Sequence, residues 1–461
     1  MKFTNVLLLL LLGCFFSCND KVPQKLDGRW YAKVEIDEEV FHYLLEIRRK
    51  NNAFVGYLDL PTDETFRIAI DSLIIEKEEL FFVQEGLDIR FTGQVNKQNE
   101  ALEETLSRDG VGYEVKFSRN PQVPRSQTIR HPIPYASEDV YFYNRDSTKL
   151  AGTITFPKES DSLTVVVLIS GSGAQNRNEE ILGHKPFLVL ADHLSRQGIA
   201  VLRYDDRGCG ESAGQFRPAT SLDYSYDALA AVQFLKQQRK LPIRKIGLIG
   251  HSEGGNIAPV VATMDAAIDF LVLLAAPGTS NYESYLVSLD LILQAYPETY
   301  ERDYPFFKSV YQDMSTIKDE EILKDSLSAK FQYIASQMDE EEFSVYNGKE
   351  NYIDSQVAYH TSEWYHYYLQ FDVTTYLQDL KIPVLALNGD KDVSVEADFN
   401  LNGIEHTLTQ AGNENFAVVK LENVNHFFQV SEDDKIESVY FNEETFSKIA
   451  LAKISDWIAI L

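Results

Sequence analysis

An α/β fold with a small antiparallel β domain in front of it is what this 461-residue sequence predicts, and three observations carry the prediction. Short apolar runs of the buried-strand type recur beyond residue 160: Ile199–Tyr204, Lys245–Ile249, Phe270–Ala275, Ile382–Asn388 and Phe416–Leu421. One of them runs straight into Gly250-His251-Ser252-Glu253-Gly254-Gly255, with the helix formers Asn256-Ile257-Ala258 and Val260-Val261-Ala262 behind it. Ahead of these, Leu26 to about Phe117 reads as short alternating strands separated by turn residues. The length exceeds what the α/β part alone requires, so a second unit is expected.

The chain opens with Met1-Lys2 and the leucine-rich Val6–Leu12, too short to span a bilayer comfortably, followed by small residues and cysteine. This reads as a secretory signal over residues 1–18. Phe15-Phe16-Ser17-Cys18 resembles a bacterial lipobox, and cleavage before Cys18 would leave a lipid-modified start; Cys14, in Leu11-Leu12-Gly13-Cys14, is the alternative site. The expected place is the bacterial cell envelope, with membrane contact through the lipid. Residues 24–120 then form the β domain, with strands expected at Arg29–Ile36, Tyr43–Ile47, Ala53–Leu60 and Glu79–Val83. A linker over 121–135 carries Pro121, Pro124, Pro132 and Pro134, and the α/β part occupies 136–461.

A strand that ends in Gly-x-Ser-x-Gly and turns into a helix is a nucleophile elbow, which holds the serine strained and exposed. Side chains at Gly250 or Gly254 would collide with the neighbouring strand or helix. The partners should follow in the order acid, then histidine. The strand Ile382–Asn388 runs into Gly389-Asp390-Lys391-Asp392, and Phe416–Leu421 leads to Asn425-His426. Between Phe270–Ala275 and Ile382–Asn388 lies a segment rich in helix formers, amphipathic near Tyr285–Gln294 and acidic near Ile317–Gln337. Its aromatic run Trp364–Phe371 fits equally an acyl pocket or internal packing.

These residues resemble the α/β-hydrolase superfamily, most closely its bacterial esterases and serine-aminopeptidase-like hydrolases. The matching pieces are Ile169-Ser170-Gly171-Ser172-Gly173, Arg203–Ser212, the elbow, Gly389-x-x-Asp392-x-x-Val395 and Asn425-His426, spread over about residues 135 to 461. The resemblance implies a mostly parallel sheet with a helical cap at about 278–380, and makes the leading unit similar to the lipocalin-like β domain of some exported relatives. It implies Ser252 as nucleophile, His426 as base and Asp392 as acid, with Asp390 as rival. Backbone N–H groups of Glu253 and Ser172 are the expected oxyanion donors, and Ser170-Gly171-Ser172-Gly173 stands where many relatives have His-Gly. It also implies that Arg207-Gly208-Cys209-Gly210 is a turn held by Asp206 and Arg207. The carboxylate of Glu253 would either disfavour anionic substrates or serve as an acid at a helix N-terminus.

The implied chemistry is cleavage of a small acyl ester through an acyl-enzyme, without a cofactor. A serine aminopeptidase or acyl-peptide hydrolase uses the same groups, and a lipid- or glycan-binding lipoprotein with an inactive hydrolase part is the reading from another class. No His-Glu-x-x-His and no cysteine pair speaks for a metal. With Cys14 and Cys18 removed or lipidated, only Cys209 remains of three cysteines, so no internal disulfide can form. A net charge of −27 argues against nucleic acid and against electrostatic docking to anionic lipid.

Overall fold

The computed structural model describes residue 26 and residues 28–461, apart from 37–38, 51–52, 64, 77–78, 96–100, 109, 120–122, 239, 340–341, 344–345, 347 and 434–435. The segment expected to be a signal, with Cys14 and Cys18, lies outside the described residues. The chain divides into two compact units, Met1–Asn120 and Pro121–Leu461.

The first unit is one antiparallel sheet of β1 (Gly28–Ile36), β2 (Glu39–Lys50), β3 (Ala53–Leu60), β4 (Thr65–Ala69), β5 (Ser72–Glu76), β6 (Glu79–Gln84), β7 (Ile89–Val95), β8 (Ala101–Arg108) and β9 (Val111–Ser118). Their order is β4-β3-β2-β1-β9-β8-β7-β6-β5. Alternate residues turn inward and fill the interior with Trp30, Tyr43, Phe82, Phe91 and Phe117. The rings of Phe91 and Phe117 meet edge to face at 5.3 Å. Four strands were expected where nine are described. β4 and β5 are short, and β8 exposes Glu103, Glu104 and Thr105 in a row, which breaks the alternation a sequence reading depends on.

The second unit carries a mixed sheet of β10 (Tyr135–Tyr143), β11 (Lys149–Pro157), β12 (Leu163–Ile169), β13 (Ala200–Tyr204), β14 (Ile243–His251), β15 (Ile268–Leu274), β16 (Val384–Gly389) and β17 (Phe416–Leu421). Its order is β10-β11-β13-β12-β14-β15-β16-β17. β10–β11 and β11–β13 pair antiparallel, and every pairing from β13 to β17 is parallel. Buried-strand alternation sorts the side chains onto two faces. Val165, Val167 and Ile169 of β12 join the core formed with α2 (Ser221–Lys236) and α3 (Glu253–Met264). Val166 and Leu168 join the opposite core, formed with α1 (Pro186–Arg196) and α12 (Lys448–Ala459).

Between β15 and β16 stand α4 (Asn281–Gln294), α5 (Pro297–Thr316), α6 (Glu320–Ala335), α7 (Lys349–His360), α8 (Glu363–Gln370) and α9 (Thr374–Leu377). The aromatic run falls on α8, where Trp364, Tyr365, Tyr368 and Leu369 are buried. Tyr285 of α4 meets Tyr368 at 5.7 Å, so most of this run is packing within the helical layer. The remaining helices are α10 (Ala397–Gln410) and α11 (Ile436–Phe441).

The stretch expected to be a linker is fastened to the second unit. The Arg125 guanidinium donates to the carbonyls of Asn442 at 2.7 Å and Leu182 at 2.8 Å. The Ser126 N–H donates to Glu443 O, and the Gln127 side chain bonds the backbone of Thr445 and Phe446.

Candidate active site

Four loops leave the carboxyl ends of β12, β14, β16 and β17, the edge where open α/β sheets place their ligands. The loop after β14 holds Ser252 at φ 52°, ψ −118°, a left-handed conformation that costs a non-glycine residue energy. Ser252 is partly exposed between the buried His251 and Glu253. A Cβ at Gly250 would strike the Gly254 carbonyl, and one at Gly254 would strike that of Ile169. The two glycines are therefore required by close approach of backbone, as the sequence implied.

The loop after β17 carries His426, whose Nδ1 lies 2.8 Å from Asp392 Oδ2. Asp392 is buried, and its other oxygen accepts the N–H groups of Ser394 at 2.9 Å and Val395 at 2.7 Å. Such donors orient the carboxylate as well as stabilise it. Asp390 points elsewhere: it accepts the N–H of Asn423 at 2.7 Å and lies 3.7 Å from the Lys391 ammonium. Behind His426, Asn425 Oδ1 accepts the N–H groups of Phe427 and Gln429, which fixes the turn.

The loop after β12 is tied down at three consecutive residues by three different acids. The Ser170 hydroxyl donates to Asp206 at 2.8 Å, the Gly171 N–H donates to Glu179 at 2.8 Å, and the Ser172 side chain hydrogen-bonds Glu253. Burial pushes the Asp206 carboxyl well above the ordinary range, against the hydrogen bonds from Gln175 and Ser170. Burial also raises that of Glu253, against hydrogen bonds from Ser221, Trp364 and Ser172. Glu253 is the acid at a helix N-terminus that the sequence suggested, the first residue of α3. Its carboxyl is buried, with the residue 1% exposed, and accepts Ser221 Oγ at 2.6 Å and Trp364 Nε1 at 3.0 Å.

The turn after β13 also differs from expectation. Arg207 pairs with Asp227 of α2 at 2.6 and 2.8 Å, and Asp206 serves the β12 loop. Asp205 is what shapes the turn, accepting the Glu211 N–H at 3.0 Å and the Arg177 guanidinium at 2.6 Å. Among the described residues no group of three or more His, Cys, Asp or Glu side chains could hold a metal ion.

A family model described as serine aminopeptidase, S33, matches residues 185–426, more than half of the chain and a span that includes Ser252, Asp392 and His426. The chain belongs to the serine aminopeptidase S33 family. Esterase EstD of Thermotoga maritima is 33% identical to this S33 member over 169 residues, which are 35% of this chain and 40% of that one. The chain thus spans well under half the length of that curated relative. A solved esterase of Pyrococcus furiosus is 16% identical, covers 74% of this chain and 98% of its own, and has a TM-score of 0.43. Est1E of Butyrivibrio proteoclasticus, solved with ferulic acid, is 18% identical over 69% of this chain and 100% of its own, with a TM-score of 0.40.

Two residues of the candidate site carried no role in the sequence reading. Glu179 and His251 are 72 positions apart and meet at 2.9 Å. His251 sits inside the elbow motif, yet no spacing connects it to an acid so far upstream.

Proposed function

We propose that this protein is a serine hydrolase that cleaves carboxylic esters through an acyl-enzyme. Ser252 Oγ attacks the acyl carbon while His426 Nε2 takes its proton, and the same proton then leaves with the alcohol. Water, deprotonated by His426, attacks the acyl-enzyme, and release of the acid restores Ser252. Asp392 holds the imidazole with its proton on Nδ1 and stabilises the imidazolium. The oxyanion is met by the N–H groups of Glu253 and Ser172. Engagement of the Gly171 N–H by Glu179 favours the next amide, that of Ser172, as the loop's donor.

The observation that carries this reading is the strained Ser252 on the same sheet edge as the His426–Asp392 hydrogen bond. The named activity of the Thermotoga relative favours esters. The family's description favours a second reading, an aminopeptidase, which uses the same groups and differs in protonating an amine leaving group. A panel of chromogenic acyl esters and aminoacyl amides, run on wild type and Ser252→Ala, tests both. Ester turnover lost in Ser252→Ala, by about 10⁴–10⁶ in kcat, supports the serine mechanism, and undiminished turnover overturns it. Faster cleavage of the amides transfers the assignment to the aminopeptidase. The Leu-rich leader ending in Ser17-Cys18 supports export and a lipid anchor in the cell envelope.

A further inference from the structure

We infer that Glu179 and His251 form a positioning couple that ties the oxyanion loop to the backbone of the catalytic histidine. The proposal rests on the serine mechanism above and concerns groups that do not touch substrate.

The geometry is a chain of three contacts joining four residues. The Gly171 N–H donates to Glu179 Oε1 at 2.8 Å, and the same oxygen lies 2.9 Å from His251 Nδ1. On the other side of the ring, His251 Nε2 lies 3.0 Å from the carbonyl oxygen of His426. Both side chains are buried, with 7% and 8% of their surface exposed. One acid and one imidazole therefore link the loop after β12, the elbow after β14 and the loop after β17.

A count of donors gives the link its character. A carbonyl oxygen only accepts, so His251 Nε2 must carry a proton. A proton is also needed between Nδ1 and Glu179, whichever of the two owns it. A neutral imidazole has only one N–H, so the pair holds both bonds only while it keeps two protons and no net charge. That neutrality matters at this spot. The His251 and His426 rings lie 4.9 Å apart, and an unbalanced cation on His251 would oppose the imidazolium that His426 must become.

The local backbone is bent to deliver the acid. Glu179 has φ 51°, in a loop where Leu182 is also left-handed at φ 47°. Strain of this kind persists only where surrounding structure enforces it. Gly171 completes the fit, since a Cβ there would lie 3.1 Å from Ser252 Cβ and 3.4 Å from His251 Nδ1.

Glu179→Gln keeps the shape and can still accept from Gly171. It leaves a neutral His251 with one N–H to serve two acceptors, so one link breaks. His251→Asn removes the bridge from the other end. The test compares wild type, both single variants and the double variant for kcat, KM, Tm and affinity for a trifluoromethyl ketone, whose adduct presents an oxyanion. Ser252→Ala is the control. Each single variant is expected to lose on the order of 10² in kcat with KM little changed, as for a small misplacement of reacting groups. Ketone affinity should fall by a similar factor, and the double variant should be no worse than the poorer single.

Unchanged kcat in a folded single variant overturns the couple, as does a rise in KM alone or full ketone affinity. Failure of both variants to reach a native-like Tm makes the pair a folding element and also overturns it. Retained turnover in Ser252→Ala instead defeats the underlying serine mechanism, so the two failures are distinguishable.

Discussion

The indole N–H of Trp364, on α8, donates at 3.0 Å to the carboxyl of Glu253, the residue that follows Ser252. The two lie 111 positions apart in the chain. A buried carboxyl needs its donors, and loss of one leaves an unsatisfied group at a cost of about 1–3 kcal/mol. Trp364→Phe keeps an aromatic ring in α8 but removes that donor. It should lower unfolding free energy by about that amount, read by urea denaturation. Combination with Glu253→Gln should cost less than the two separate losses together, because they share one contact.

The two candidate acids are separable by rate. Asp392→Asn leaves the shape of the site but sets the wrong tautomer of His426, and should lower kcat by about 10⁴. Asp390→Asn disturbs the Asn423 contact and the Lys391 ion pair, and should leave kcat near wild type. The opposite ranking in ester kinetics would transfer the acid role to Asp390.

Acid should weaken the protein in part through His184. Burial, with the Arg125 charge adding to it, lowers this imidazole to about 3 from its usual 6.5. Its ring nitrogens lie 2.9 Å from Thr445 Oγ1 and 2.8 Å from Val439 O. The unfolded chain therefore binds a proton between these values that the folded chain does not. The associated stability is present above the unfolded value and is lost as pH falls through the window. Its share between pH 7 and pH 5 is about 2 kcal/mol. His184→Gln should unfold more easily at pH 7 and lose less than wild type on acidification, measured by urea titrations at both pH values.

The proposed lipid anchor has a direct assay. Several acyl chains hold a protein to a bilayer where one alone binds marginally, since each buried CH₂ contributes about 0.8 kcal/mol. Wild type expressed with its leader should sediment with membranes, and Cys18→Ala should be soluble or unprocessed. Mass spectrometry of the mature N-terminus decides between Cys18, Cys14 and an unmodified start.

The local parts of the site were legible because each is written in consecutive residues. The elbow needs glycines on both sides of Ser252, and Asp392 and His426 each stand a few residues beyond an apolar strand. What was missed is carried by contacts between distant segments. Glu179 reads as one acid in Asn176-Arg177-Asn178-Glu179-Glu180 until the fold brings it to His251. Glu253 reads as a helix-end acid, which it is, but its burial by Trp364 of α8 and Ser221 of α2 comes from distant segments. In the β domain, β4 and β5 are short and β8 breaks its alternation, whereas β7 alternates cleanly and was still overlooked.

The grip of Arg125, Ser126 and Gln127 on the loop at 442–446 sets where the second unit begins as a mechanical body. A chain opened by protease just ahead of residue 123 would keep that clasp, whereas one shortened to residue 136 would lose it and leave the Asn442, Leu182 and Phe446 carbonyls to water. The useful cut, for crystallisation or for fusing another module in place of the leading one, therefore lies before the clasp and not at the first strand of the hydrolase sheet.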